Sequence, residues 1–335
     1  MNQFLKDILD QPAALHQALD HTLGAGVSEL RSAADMVRSS RRVVLTSMGS
    51  ALYSLIPLHH ELSRHHPSVH LVETAELLAD PPADKDTLYL IMSRSGESGE
   101  VAAFSNVLHE RHAPLIAVTM TRTSTLARNA GLVLNDPVPY DGFICTKAYS
   151  TMTLIGLLLA AQAGGGLTDR LTARLRETFD WMEETKEAFH RAAASVDWLG
   201  GPLYFLSRGV GNALTLSGAL WLEEAARVPA STMSIANFLH GPVEQVDERF
   251  RGVWIDLAPD DRSRAMFASA FSHGGRWLKL VVDDPGSDFE LRSHDLPAAF
   301  RVLPAAMPVQ LIAWKSADAL GIDAGAMRYL GWVVK

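Results

Sequence analysis

The 335-residue chain is 47% hydrophobic and 20% charged, an ordinary globular balance, and it is longer than one core usually fills, so two domains or two halves are expected. A formal charge of −8 argues against nucleic-acid binding, and a single cysteine, Cys145, leaves neither an intrachain disulfide nor a CxxC metal site. The opening MNQFLKDILDQP lacks the apolar core of a signal peptide, and the most apolar run, Leu154 to Gly166, is too short to span a bilayer, so a soluble, cytoplasmic protein with no membrane partner is expected.

Phe4 to Met36 carries apolar residues at helical spacing, with Pro12 in an early turn position, which gives an N-terminal helical segment over 1–36. RRVVLTSMGSALYSLIPLHHELSRHH then reads as strand, glycine turn and helix. SVHLVETAELL is a second strand running into a helix or loop. DTLYLIMSRSGESGEVAAFSNVLHERHA is again strand, polar turn and helix, and PLIAVTM is a further strand followed by TRTSTLARNAG and LVLNDPV. FICTKAYSTMTLIGLLLAAQAGG is a long apolar helix that closes a first domain over 37–168. Short continuous apolar strands alternating with helices imply a parallel sheet covered on both faces, a doubly wound α/β layout.

A charged helical connector, 169–196, follows, and the pattern then restarts in a second domain over 197–335. GPLYFLSRGVGNALTLSGALWLEEAARV parallels the first strand–turn–helix, GVWIDLAPDDRSRAMFASAFSHGG the third strand with its helix, and RWLKLVVDD the strand PLIAVTM. Leu203 against Val43, Gly252 against Leu88 and Trp277 against Leu115 give offsets of 160, 164 and 162 residues. An offset this constant over three strands argues for a duplicated α/β domain. PVQLIAWKSADALGI is a closing helix.

The stretch LIMSRSGESGE raises the chemical question. Hydroxyls and glycines follow directly behind a buried strand, at the place where parallel sheets bind ligands. Backbone N–H groups at the start of the next helix favour an anion, Ser93, Ser95 and Ser98 add hydroxyl donors, and Gly96 and Gly99 permit close approach. The pattern suits the phosphate of a small monoester and lacks the lysine of a GxxxxGK[ST] nucleotide loop. A serine-rich helix cap without a ligand is the competing account; the α/β context and a second hydroxyl-bearing turn, SMGSALYS, favour phosphate. HHELSRHH is not a metal site, because His59 and His66 on one helix would lie about 10.5 Å apart. No metal and no cofactor are expected.

SRSGES is similar to the S-x-S-G-[ED]-[ST] phosphate loop of the sugar isomerase (SIS) domain family, and the likeness runs over nearly the whole chain. LKDILDQP resembles K-E-I-x-E-Q-P, CTKAYSTMTLIGLLL resembles the S-T-K-A-[FY]-[ST] helix, and GALWLEEAARVPASTMSIANFLHGP resembles the block E-x-A-L-K-L-K-E…E-[FL]-x-H-G-P of the isomerase half of glutamine–fructose-6-phosphate amidotransferases and their stand-alone relatives. The resemblance implies two tandem doubly wound parallel-sheet (SIS, flavodoxin-like) domains with helices on both faces, a phosphosugar as small-molecule partner, and a homodimer in which the histidine loop reaches the neighbouring copy. The apolar tail YLGWVV and the helix Leu154–Leu159 supply a physical motive for pairing. No stretch resembles the glutaminase domain, so ammonia taken from glutamine by that route is not expected.

By the same resemblance Ser93, Arg94, Ser95 and Ser98 match the phosphate loop, with Arg94 in place of a common glutamine, and Ser50 matches the turn after the first strand, with Ala51 where a second serine is usual. Arg94 is either a guanidinium near phosphate or a surface arginine. Lys147 either helps to close the pocket or simply begins a helix. Glu224 and His240, 16 residues apart as in the family's block, match its catalytic carboxylate and imidazole. A carboxylate is a suitable base for moving a proton between C1 and C2, and an imidazole can open the sugar ring. Taken alone, Glu224 would be a helix-surface partner of Arg227 and His240 a loop histidine; matched together they favour catalysis. Glu223 is expected to face solvent, and Cys145 to be an inert, buried thiol.

The tail departs from the family. RYLGW places Trp332 where relatives that form a Schiff base carry a lysine, Lys335 follows three positions later, and Trp221 replaces another lysine. The remaining set, a phosphate site with a base and an acid, suffices for an aldose–ketose isomerase or isomerase/deaminase acting on a hexose or amino-sugar 6-phosphate, or for a deglycase cleaving a fructosamine-type 6-phosphate. A non-catalytic phosphosugar-binding regulator is the alternative of a different class; retention of Glu224 and His240 favours an enzyme.

Overall fold

The computed structural model describes residues 2–80, 86–194, 200–331 and 334. In chain order the elements are α1 (Gln3–Leu9), α2 (Gln11–Leu23), α3 (Val27–Ser39), β1 (Arg42–Ser47), α4 (Gly49–Leu62), β2 (Val69–Glu73), α5 (Thr74–Ala79), β3 (Thr87–Met92), α6 (Gly99–Glu110), β4 (Leu115–Thr119), α7 (Thr125–Asn129), β5 (Leu132–Asn135) and α8 (Lys147–Ala163). After α9 (Asp169–Ala194) come β6 (Leu203–Ser207), α10 (Asn212–Ala226), β7 (Ser231–Ser234), α11 (Ile235–Leu239), β8 (Arg251–Asp256), α12 (Asp261–Phe271), β9 (Arg276–Val281) and α13 (Val302–Ala319). The chain divides into two compact units, Asp10–Arg176 with Met327–Lys335, and Met1–Leu9 with Glu177–Ala326. They are called the first and the second unit below.

The first unit holds a five-stranded parallel sheet in the order β2-β1-β3-β4-β5. Every residue of β3 and β4 is buried, which explains why these strands are unbroken apolar runs rather than alternating ones. Tyr89 on β3 meets Phe104 of α6 edge to face, with centroids 5.6 Å apart, within one of the cores that flank this sheet. The helix α8 is buried from Lys147 to Ala161, because α2, α3 and α4 all pack against it. Leu154–Leu159 therefore exposes no apolar face, and this part of the motive for pairing with a second copy falls away. The tail keeps the other part, with Tyr329 92% and Val334 52% exposed. Among the described residues no helix is long and apolar enough to cross a membrane.

The second unit holds a four-stranded parallel sheet in the order β7-β6-β8-β9. Read as counterparts of β2-β1-β3-β4, the strands repeat the order of the first sheet. The paired registers Val43↔Val69 and Tyr204↔Ser231 extend the duplication to β2 and β7, the second members lying 162 residues apart. The sequence left β7 unassigned: STMS is a short, partly exposed edge strand, and an edge strand needs no apolar run. Among the described residues no named strand answers β5; a parallel bridge, Val282↔Leu291, stands beyond β9. One face of this sheet is unusually aromatic, with Trp254 stacked on Phe267 at 4.1 Å and Phe250 tilted against Trp277 at 5.1 Å. Gly252 is required beneath Trp277, since a Cβ there would stand 2.2 Å from the indole.

Candidate functional site

In the first unit the chain leaves β1 towards β2 on one side and leaves β3 towards β4 on the other. The turns after β1 and β3 thus emerge side by side where the strand order reverses, the position at which open parallel sheets receive ligands. Ser50 occupies the first turn of α4, and its Oγ is buried without a hydrogen-bond partner. A buried hydroxyl without a partner is costly, so this one is a candidate for facing a polar ligand. Ser47, at the end of β1, instead donates to the Met92 carbonyl and ties the two strand ends together.

The serine loop has a fixed internal geometry. Gly96 sits at φ +64°, and a Cβ on it would lie 2.2 Å from Ser124 Oγ and 2.6 Å from Ser124 Cβ. Ser93 Oγ accepts from the Gly96 N–H at 3.0 Å and Ser95 Oγ from the Glu97 N–H at 3.2 Å. Each of these hydroxyls keeps its own proton to donate. The Glu97 carboxylate accepts from Thr125 N–H (2.6 Å) and Oγ1 (3.0 Å), and the Gly96 carbonyl accepts from Leu126 N–H (3.1 Å), so the loop is bound to α7. Ser98 is the N-cap of α6 but makes no side-chain cap bond. The Gly99 N–H, first in α6, donates to the Val334 carbonyl of the chain's own tail at 2.8 Å.

The Arg94 guanidinium is bound to the loop ahead of α8. It donates to Asp141 Oδ1 (2.8 Å) and to the carbonyls of Gly142 (2.9 Å) and Phe143 (3.3 Å). Its side chain is only 15% exposed, so it is not a surface arginine. Burial opposes its charge, yet Cys145 and Asp141 beside it hold its pKa above the ordinary arginine value. Asp141 accepts with its other oxygen from Thr146 N–H (2.7 Å) and Ala148 N–H (3.0 Å) at the start of α8. Lys147, the first residue of α8, is 8% exposed. Cys145 is intermediate in exposure rather than fully buried. Asp141 and Glu97 escaped the sequence reading. The signal was present in DGFICTK, an Asp-Gly turn just ahead of a helix, but a carboxylate there reads as an ordinary turn residue.

Asp136 follows β5, is 1% exposed, and accepts from Thr151 Oγ1 and from the Val138 N–H (3.1 Å). Burial pushes its carboxyl up to about 6; the two hydrogen bonds oppose the rise and the nearby Asp141 charge adds to it. The unfolded chain gives up this proton near the ordinary value of 3.8. The native state therefore binds more protons between those values, and stability falls as pH rises through that window and stays lower above it. Asp136→Asn should remove this loss. Its melting temperature relative to the parent should improve between about pH 4.5 and about pH 8, by the equivalent of about 2 kcal/mol. A difference that is the same at both pH values would refute the assignment.

In the second unit Glu224 lies in the last turn of α10, partly buried, while Glu223 beside it is exposed. Arg227 caps α10 in the left-handed region (φ +58°) and donates to the Ala326 carbonyl at 2.8 Å. His240 ends α11 on an exposed turn, where its N–H donates to the Asn237 carbonyl at 3.1 Å. The first unit thus carries Ser50, the serine loop, Arg94 and Lys147, and the second unit carries Glu224 and His240. Trp332 and Lys335 lie outside the described residues. His66 is not on α4, which stops at Leu62; its ring bonds the Ser40 carbonyl (3.0 Å) and the Ser68 N–H (3.2 Å). Among the described residues no group of three or more His, Cys, Asp or Glu is placed to hold a metal.

Comparison with known proteins agrees with the family resemblance. The SIS domain model matches residues 60–162. A glutamine–fructose-6-phosphate aminotransferase (isomerizing) of Symbiobacterium thermophilum is 27% identical over 97% of this chain and 58% of its own length. The chain spans only about half to three-fifths of such relatives, 49% of the one from Aeropyrum pernix. A glucosamine-6-phosphate deaminase from Thermotoga maritima has the same fold, with a TM-score of 0.83, 20% identity and 99% of both chains covered. So does a tagatose-6-phosphate ketose/aldose isomerase from Escherichia coli, with a TM-score of 0.83, 18% identity and 98% and 96% covered.

Proposed function

We propose that this chain, which resembles the SIS-domain proteins across both of its units, is a cytoplasmic phosphosugar enzyme: an aldose–ketose isomerase or isomerase/deaminase working on a hexose or amino-sugar 6-phosphate. The observation that carries the reading is the serine loop at the reversal point of the first sheet, with Ser93 and Ser95 free to donate, Ser98 unused as a cap and the buried Ser50 hydroxyl unbonded. In this reading Ser50, Ser93, Ser95 and Ser98 donate to the phosphate, Arg94 shapes the loop and Lys147 adds positive charge at the start of α8. Glu224 removes the proton from one carbon of the C1–C2 pair and returns it to the other through an enediol or enolamine, and His240 protonates the ring oxygen to open the ring. Both units are taken as doubly wound, which the shared strand order supports. The chain is taken to act as a homodimer, which the exposed Tyr329 and Val334 support.

The test is a panel of hexose, hexosamine and fructosamine 6-phosphates, with ketose, ammonia and free amine followed by mass spectrometry and the same preparation sized by light scattering. Fructose 6-phosphate or glucosamine 6-phosphate should raise the melting temperature by mass action, and Ser95→Ala with Ser98→Ala should abolish that rise. Release of free amine from the fructosamine phosphate alone would replace this reading with a deglycase. Binding without any product would replace it with a phosphosugar-binding regulator.

A further inference from the structure

Residue 94 is held from both ends. Its carbonyl accepts from Tyr140 OH (3.1 Å), Thr119 Oγ1 (3.2 Å) and the Met120 N–H (3.3 Å). Its guanidinium spends two nitrogens on Asp141, Gly142 and Phe143. Asp141 is the hinge of this arrangement. One oxygen takes Arg94, and the other takes the N–H groups of Thr146 and Ala148 and the Thr146 hydroxyl (3.3 Å). Donors at the start of a helix lack intrahelical partners, so this single carboxylate, 2% exposed, satisfies the beginning of α8 and a buried cation together. A charged pair at such a site is firm only while both members are present; removing one strands the other.

We propose that Asp141 is a positioning residue for phosphosugar binding: acting through Arg94, it fixes Ser93–Ser98 against the helix that begins at Lys147 and so sets the loop's affinity for a phosphate monoester without touching it. The loop enters binding already ordered, and the cost of ordering it is not charged against affinity. The inference rests on the phosphate-binding reading above.

Calorimetry with fructose 6-phosphate, and in parallel with inorganic phosphate, tests it. Asp141→Asn keeps the shape but leaves Arg94 without its counter-charge, and both dissociation constants should rise about tenfold or more. Because Asp141 acts through Arg94, adding Arg94→Gln should weaken binding little further, the two removals being non-additive. A purely structural role would lower the ligand-free melting temperature and leave both dissociation constants near those of the parent. Should Asp141→Asn fail to fold, Arg94→Lys serves instead, because a lysine keeps the charge but cannot span Asp141, Gly142 and Phe143 with one planar fork; it should weaken both ligands several-fold. Dissociation constants within about twofold of the parent in the variant that folds, or a double variant weaker than Asp141→Asn by the full effect of Arg94→Gln alone, would overturn the inference while leaving phosphate binding intact. A parent protein that binds neither ligand would overturn the phosphate-binding reading itself, and the inference with it.

Discussion

Glu224→Gln should cost about 10²–10⁴-fold in turnover on the best substrate of the panel, while the melting-temperature rise given by fructose 6-phosphate stays as in the parent. The amide keeps the size and planarity of the carboxylate and loses the ability to take a proton from carbon. The side chain is partly buried in the last turn of α10, and that helix end is also held by the bond from Arg227, its left-handed cap, to Ala326. His240→Asn should show a different signature, slowing closed-ring substrates more than open-chain analogues, because ring opening is its proposed task. Full turnover in both variants would refute the acid–base assignment and leave the phosphosugar-binding regulator in front.

Gly96→Ala should be the most damaging single change in the serine loop. Two costs combine. An alanine at φ +64° enters the left-handed region, which costs roughly 1–2 kcal/mol, and its Cβ would stand 2.2 Å from Ser124 Oγ. Ser124 cannot simply turn aside, since it is 1% exposed and its Oγ accepts the Ala127 N–H (3.2 Å) as the cap of α7. The loop must shift, and the donors of Ser95 and Ser98 shift with it. Gly165→Ala supplies the control: its φ is +72° but nothing lies within 4 Å of the added carbon. Gly96→Ala should lower the melting temperature more than Gly165→Ala and should also erase stabilisation by fructose 6-phosphate. Equal losses in the two variants, with ligand stabilisation retained, would show that the loop accommodates the methyl group.

What the sequence made legible was whatever leaves a local or periodic trace. The buried strands β1, β3 and β4, and their counterparts β6, β8 and β9, announced themselves as short apolar runs at a near-constant offset, and the strand orders repeat accordingly. The edge strand β7 gave no such trace, because STMS is half exposed and polar. The serine loop was legible as a motif, yet the direction of Arg94 was not. A guanidinium next to serines in sequence suggests phosphate, whereas its partner, Asp141, lies 47 residues further on in a loop without periodicity. The exposure of Leu154–Leu159 was misjudged for a related reason: an apolar helix does not declare which neighbours cover it, and here α2, α3 and α4 do so.

The bond from the Gly99 N–H to the Val334 carbonyl has a practical bearing on any assay. It sets Val334 against the start of α6, immediately behind Ser98. A chain shortened before Val334 would release that N–H, one of the donors with which a helix start receives an anion. Affinities and turnover should therefore be compared on chains that keep Val334.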